Sequence, residues 1–413
     1  MRISLHTLGT RGDVQPFIAL ACALKAKGHE VQLGAPSQFA PLAAARNIDF
    51  AELPGGFLDL LDSPEGKAAV AAGQGFSAGF KLLKYVGPLM QDLMQREWAV
   101  ARAFQPDVIV AHPKSIAMPH IAGALGKPFV LASPIPGFTP TRAYPSPMLP
   151  FANLGPLNRA SHGLMTNSAD VLFAKPIRDW REHTLMLPPR GKPPKPATTL
   201  YAYSRHLLSR PSDFPPSVHV TGFWFLDTPQ YEPPERLRSF LEAGDPPVAV
   251  GFGSLPGLDP VQLTTTVTEG LARAGKRGLL VGAGGSLVDR GLSETCLFTE
   301  QAPYDWLFER VNSTLHHGGA GTTASSLRAG KPIIACPFMA DQPFWARQIE
   351  SVGLGPRALD RRRLTPERLA SAVIEADRAE IQSRAKEVAW LISQEGGVEE
   401  AAQIISEIRP QPV

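Results

Sequence analysis

Residues 1–35, MRISLHTLGTRGDVQPFIALACALKAKGHEVQLGA, decide the fold. Residues 2–8 are rich in apolar side chains and read as a β-strand, residues 9–13 form a loop carrying Gly9 and Gly12, and residues 14–27 space apolar side chains as an amphipathic helix closed by Gly28. Residues 30–35, EVQLGA, start a second strand. Strand, helix and strand in this order open a parallel βαβ sheet.

The pattern continues along the chain. Strands are predicted at 106–111 (PDVIVA) and 128–132 (PFVLA), with helical periodicity over 116–125. A second series follows at 247–253 (PVAVGFG), 278–282 (GLLVG), 312–316 (NSTLH) and 331–336 (KPIIAC), again separated by helix-period segments. The expected fold is α/β, with two Rossmann-like, doubly wound domains facing each other across a cleft. Residues 225–247, FLDTPQYEPPERLRSFLEAGDPP, are Pro-rich and charged and mark the boundary. This places a first domain at 1–225, a linker at 226–246 and a second domain at 247–394, with a terminal helix over about 395–413 packing back on the first. Residues 137–200 hold many prolines and few strand signals, and are expected to lie as loops and helices over the cleft mouth rather than in a sheet.

Length and composition narrow the function. At 413 residues the chain exceeds what a single core usually supports, and 44% hydrophobic with 19% charged residues is ordinary for a globular protein. Lys plus Arg number 41 against 38 for Asp plus Glu, a balance that excludes a nucleic-acid binder and favours small or apolar partners. Cys22, Cys296 and Cys336 are scattered and odd in number, which suits neither a disulfide framework nor a closed zinc site and makes a cytoplasmic location the expectation. The first residues read as a strand rather than a signal peptide, and no window is apolar enough to span a bilayer.

The chemistry concentrates in residues 299–345, TEQAPYDWLFERVNSTLHHGGAGTTASSLRAGKPIIACPFMADQPFW. A strand ending at His316 and His317 runs into Gly318, Gly319, Ala320, Gly321, Thr322 and Thr323, where a helix begins. Glycines let a diphosphate approach the backbone, and the free N–H groups of a helix start face its charge. His317 and the two threonine hydroxyls can add hydrogen bonds, so the loop can stabilise a departing nucleotide diphosphate without a metal ion. The same residues also satisfy a loose dinucleotide pattern, G-x-G-x-x-A from Gly319 to Ala324, with Asp341 about 20 residues on, which keeps an NAD oxidoreductase open. Residues 282–287, GAGGSL, are a weaker version lacking the third small residue.

Four ordered segments, LGTRGDVQPFIALA, FTPTRAYPSP, VHVTGFWFLD and the 299–345 block, resemble family 1 glycosyltransferases with the GT-B fold, above all the sterol glucosyltransferase branch and the related bacterial antibiotic glycosyltransferases. The resemblance implies that His317 contacts the donor diphosphate, with Gly319, Ala320, Gly321 and Thr322 adding backbone or hydroxyl contacts. It implies that Asp341 and Gln342 bind the donor sugar, Ser254 reaches the phosphates and the backbone of Ala302 pairs with the nucleobase. Gln301 and Ser325 depart from the plant pattern, which has Trp and an acidic ribose ligand there. Gln342 matches glucose donors, so UDP-glucose is the expected substrate and a thymidine-diphosphate donor the alternative. No cofactor and no metal are expected.

One-step inverting transfer needs a base for the acceptor hydroxyl, and the resemblance places Asp13 there. Read from the residues alone, Asp13 is better typed as the N-cap of a helix starting at Val14, and a capping carboxylate at the cleft rim can serve in both roles. His112, ending a strand, reads as structural, and residues 112–125 contain no Asp or Glu to support it. Arg361, Arg362 and Arg363 read as a solvated run, and Trp306, Phe344 and Trp345 as packing aromatics. The acceptor is expected to be a lipophilic small molecule held within 137–200, whose basic residues also suit weak contact with a membrane surface. An epimerase and a non-catalytic lipid-binding protein complete the alternatives.

Overall fold

The computed structural model describes residues 1–56, 77–167, 171–228, 230–253, 259–282 and 284–409. The first sheet contains β1 (Arg2–His6), β2 (Glu30–Pro36), β3 (Asp49–Leu53), β4 (Val108–Ala111), β5 (Phe129–Ser133), β6 (Thr198–Tyr201) and β7 (Val218–Val220), in the spatial order β3-β2-β1-β4-β5-β6-β7. The second contains β8 (Val248–Gly251), β9 (Gly278–Val281), β10 (Cys296–Thr299), β11 (Ser313–His316) and β12 (Ile333–Ala335), in the order β10-β9-β8-β11-β12. All pairings are parallel. The VIVA of β4 and VAVG of β8 show no polar alternation and are buried throughout, as strands covered on both faces must be. Register sets Ile3 beside Val31 and Val108, so apolar rows run across the sheet.

Each sheet grows outward from its first strand and then returns to that strand's other side, from β3 to β4 in one domain and from β10 to β11 in the other. The reversal parts the loops after β1 and β4, and those after β8 and β11. A crevice opens there at the carboxyl ends of the strands, which is where such sheets hold ligands.

The helices that position the site are α1 (Arg11–Ala26), α2 (Ser77–Phe104), α3 (Ala320–Arg328), α4 (Gln342–Val352) and α5 (Gly397–Ser406). α1 starts three residues before the predicted Val14 and is capped by Thr10, so Asp13 is the third residue of the helix rather than its N-cap. The cause is a capping box, in which the Thr10 N–H donates to Asp13 Oδ2 at 2.8 Å and the Asp13 N–H faces the Thr10 side chain; a turn bond from the Asp13 N–H to the Thr10 carbonyl at 2.9 Å accompanies it. A second difference lies within 137–200, where Thr198–Tyr201 joins the sheet as β6. Its two threonines hide a strand that is buried along its whole length.

α5 lies in one hydrophobic cluster with β1, β2 and α1, through Val398, Ala401, Ala402 and Ile405 against Ile3, Leu5, Phe17 and Leu24. A different cluster joins the two sheets' domains, with Tyr144, Tyr201, Tyr203 and Phe214 on one side and Phe344, Trp345, Ile349 and Val388 on the other. The Pro-rich connection carries a helix, Glu235–Glu242. Ahead of it, the Asp227 carbonyl accepts from Arg46 and its carboxylate pairs with Arg328 of α3 at 2.6 Å. No helix among the described residues is long and apolar enough to cross a membrane.

Candidate active site

On the first domain, the loop after β1 and the start of α1 bury the Asp13 carboxylate. Its Oδ2 accepts from the Thr10 N–H at 2.8 Å, the Thr10 hydroxyl at 3.2 Å and Lys114 Nζ at 2.8 Å. Its Oδ1 faces His112 Nε2 at 3.5 Å, and no hydrogen bond to it is found among the described residues. His112 Nδ1 accepts the Lys114 backbone N–H at 3.2 Å, which puts the ring proton on Nε2, facing Asp13. Burial pushes His112 down to about 4, so the imidazole is neutral near pH 7. Burial works against ionisation of Asp13 too, but the charges of Lys114 and His112 and the hydrogen bonds from Lys114 and Thr10 outweigh it and hold the carboxyl below its ordinary value. With His112 neutral, Lys114 carries that effect near pH 7. Gly9 has φ +121°, and a Cβ there would lie 2.2 Å from Asp13 Oδ2 and 2.7 Å from Lys114 Nζ.

On the second domain, β11 ends at His316 and is followed by His317, and the two histidines sit in different surroundings. His316 Nδ1 accepts the Gly318 N–H at 3.0 Å, and its Nε2 lies 3.4 Å from Ser326 Oγ, so it shapes the loop from beneath. His317 is lowered to about 4 by burial, and its Nδ1 is buried without a hydrogen-bond partner. Gly318 takes φ +84°, turning the chain into α3, and a Cβ on Gly319 would sit 2.5 Å from His317 Nε2. The first N–H groups of α3, at Ala320, Gly321 and Thr322, have no intrahelical acceptor. The start of α1 comes close to this loop, since a Cβ on Gly321 would lie 3.8 Å from Gly12 Cα. Two helix N-termini therefore converge on one point, which suits an anion.

Asp341 and Gln342 begin α4 beside that point. Trp345 Nε1 donates to Asp341 Oδ2 at 2.8 Å, and Gln342 Oε1 accepts the Phe338 and Met339 N–H groups at 2.8 and 3.1 Å. This leaves one carboxylate oxygen and one amide nitrogen to bind hydroxyls. Burial, with the nearby Asp13 charge adding to it, pushes Asp341 up to about 6, against the lowering effects of its own backbone, Trp345 and Lys114. Ala340, just before it, has φ +55°, a left-handed conformation that is uncommon for a residue with a Cβ.

An ionised, cation-paired carboxylate on one domain, a helix start suited to an anion on the other and groups free to bind hydroxyls between them match what sugar transfer from an activated diphosphate needs. Residues 3–145 match the model of the glycosyltransferase family 28 N-terminal domain, and residues 292–406 that of the erythromycin biosynthesis protein CIII-like C-terminal domain. O-mycaminosyltylonolide 6-deoxyallosyltransferase of Streptomyces fradiae is 32% identical over 98% of this chain and 97% of its own length. The chain belongs to the glycosyltransferases. Sterol 3-beta-glucosyltransferase UGT80B1 of Arabidopsis thaliana is also 32% identical, over 96% of this chain, which spans 66% of that protein's length. The sterol 3-beta-glucosyltransferase of Komagataella phaffii is 33% identical, and the chain spans 34% of it. The glycotransferase of kitacinnamycin and the Streptomyces glycosyltransferase SsfS6 complexed with thymidine diphosphate share the fold, with TM-scores of 0.73 over 98% of each chain and 0.66 over 99% and 100%, at 19% and 18% identity. The fold is GT-B, and the oxidoreductase and epimerase readings of the glycine loop give way to it.

In this glycosyltransferase, Ala302 lies partly buried in the turn after β10, packed with Tyr304 and Trp306. Ser254 lies outside the described residues. Trp345 is buried packing, as expected, but also holds Asp341. Arg361 stacks over Phe338, 5.6 Å from the ring centre, while Arg362 and Arg363 are exposed. Tyr144, from FTPTRAYPSP, packs against Phe344 at 5.4 Å, and Arg347 donates to the carbonyls of Pro150 and Phe151 at 3.3 and 3.1 Å. The segment after residue 137 thus reaches across to α4 of the second domain. Sequence reasoning missed Lys114 and gave His112 no part beside Asp13. The signal was topological: both follow β4, the strand next to β1 across the switch point.

Proposed function

We propose that this chain transfers glucose from UDP-glucose, with inversion, onto a hydroxyl of a lipophilic acceptor, sterol-like, polyketide or flavonoid. The observation that carries the reading is the buried Asp13 carboxylate with Oδ2 saturated and Oδ1 open, set against a helix start where His317 keeps an unpartnered ring nitrogen. Asp13 takes the acceptor proton as its oxygen attacks the anomeric carbon, and the N–H groups from Gly319 to Thr322 with His317 receive the charge on the departing diphosphate. Asp341 and Gln342 hold the sugar hydroxyls, Ser254 the phosphates and the Ala302 backbone the base. The reaction so written assigns no step to a metal ion. The segment 137–200 supplies the acceptor pocket. Its exposed Leu164, Val171, Leu172 and Met186, near Lys175 and Arg178, support weak contact with an anionic membrane surface.

The experiment is product mass spectrometry with UDP-glucose and thymidine-diphosphate-glucose, each against sterol, hopanoid, flavonoid and macrolide alcohols. The expected result is a hexose adduct from UDP-glucose on at least one of them. Adducts from the thymidine nucleotide alone would move the donor assignment, and hydrolysis of the donor with no adduct from any acceptor would remove the acceptor assignment.

A further inference from the structure

The oxygens of Asp13 are unequal. Three donors converge on Oδ2, and one of them is a cation from the other side of the sheet's switch point, Lys114 Nζ. An ion pair at a protein surface is commonly worth little, because water screens it and two side chains must be frozen to make it. This pair differs in its setting. Its carboxylate is 9% exposed, and Gly9 gives up the Cβ that would strike both charged atoms. The backbone N–H of Lys114 also fixes the tautomer of His112. One residue thus sets the surroundings of both carboxylate oxygens.

We propose that Lys114 is the positioning residue of the transfer, its ammonium holding Asp13 by Oδ2 so that the carboxylate stays ionised and presents Oδ1 alone to the acceptor hydroxyl. The proposal rests on the reading of Asp13 as the base. In the step it serves, the acceptor O–H bond breaks and its proton goes to Oδ1. The acceptor oxygen bonds to the anomeric carbon as the bond to the diphosphate oxygen breaks, and that electron pair leaves with the diphosphate. Proton transfer neutralises Asp13 and leaves the Lys114 charge uncompensated on the same side of the cleft. That uncovered charge opposes the proton transfer, so Lys114 contributes beforehand, by keeping the buried carboxylate ionised and fixed in one orientation when the acceptor binds.

Among the described residues, the charged groups around Asp13 are few. Lys114 and His112 face it from the β4 loop, and Asp341 bears on it from α4. Arg11, on its own helix, turns to Gln15 at 3.0 Å. Lys114 is therefore the cation whose removal Asp13 must register.

The test compares wild type, Lys114→Met and Lys114→Arg by the pH profile of kcat/KM, by carbon-13 NMR titration of the Asp13 carboxyl and by UDP-glucose binding. In Lys114→Met, the acid limb and the NMR midpoint should both move up by about 1–3 pH units, the range for losing a neighbouring opposite charge. Lys114→Arg should return both to near wild type, and donor affinity should be unchanged in each. Coincident midpoints in wild type and Lys114→Met would overturn the proposal. Full turnover in Asp13→Asn would instead overturn the base assignment, and the carboxyl titration would still decide whether Lys114 governs Asp13.

Discussion

Asp13 is asked to do two things, and its substitutions separate them. Asp13→Asn keeps a side-chain oxygen for the Thr10 N–H and Lys114 Nζ, now 2.8 Å from Oδ2, so the start of α1 should hold. Asp13→Ala removes that oxygen and should cost about 1 kcal/mol, as lost helix caps do, or about 2–4 °C in a domain of this size. Lys114 does not add much to that figure, because its side chain is about half exposed and water takes over its charge. Turnover should follow another order. The amide cannot accept the acceptor proton, so both variants should lose on the order of 10² to 10⁴ in kcat/KM. UDP-glucose affinity should stay the same, since the proposed diphosphate site lies on the other domain. The assay is turnover, melting temperature and donor titration on the three proteins. Full turnover in Asp13→Asn, with a stability loss confined to Asp13→Ala, would show that Asp13 only supports the start of its helix through the Thr10 N–H.

Other outcomes follow from the same geometry. UDP-glucose should raise the melting temperature, and His317→Ala should weaken that rise by at least the equivalent of a tenfold loss in affinity; an undiminished rise would take His317 out of the diphosphate site. Gly9→Ala should cost roughly 10² in kcat/KM with unchanged donor binding, because its Cβ would push Asp13 and Lys114 apart; steady-state kinetics and donor titration check it. Asp341 is raised in the folded protein to about 6 from 3.8, so its ionisation costs stability that is intact below about pH 4 and lost as pH rises through about 6. Asp341→Asn without donor should therefore melt higher than wild type above pH 6, by on the order of 2–3 kcal/mol, with no advantage below pH 4; a pH-independent difference would refute the assignment. Sedimentation with vesicles should show more binding to anionic than to zwitterionic lipid, and Leu172→Glu should reduce it; equal binding to both would end the membrane reading.

The first βαβ unit and the glycine loop after β11 were legible because each combines a periodicity with a residue type that has one steric use. Other elements were hidden for physical reasons. β6, TTLY, and β7, VHV, carry polar residues into a buried sheet, and β3, DFAEL, lies at the sheet edge with only Leu53 fully buried. α2 includes Gly79, Gly87 and Pro88, which read as breaks although the helix runs through them. The start of α1 was misplaced because Asp13 resembles an N-cap, while the reciprocal pairing with Thr10 moves the cap three residues earlier. Within the site, residue types pointed to Asp13, His317, Asp341 and Gln342 one at a time. The Lys114 contact joins residues 101 positions apart and depends on β4 lying beside β1, which no local pattern records.

The position of α5 has a consequence for synthesis. Val398, Ala401, Ala402 and Ile405 fill part of the core that β1 and α1 begin, so the first domain's interior stays incomplete until residue 405 has been made. At roughly 5–20 residues per second, the nearly 180 residues after Phe225 take on the order of 10 to 40 s to translate. Through that interval Phe17, Ile18 and Leu24 lack their covering, and the nascent chain shows an apolar stripe to whatever surrounds it. A ribosome stalled before residue 397 should therefore hold a first domain that a holdase chaperone binds, and release of the last helix should end that binding.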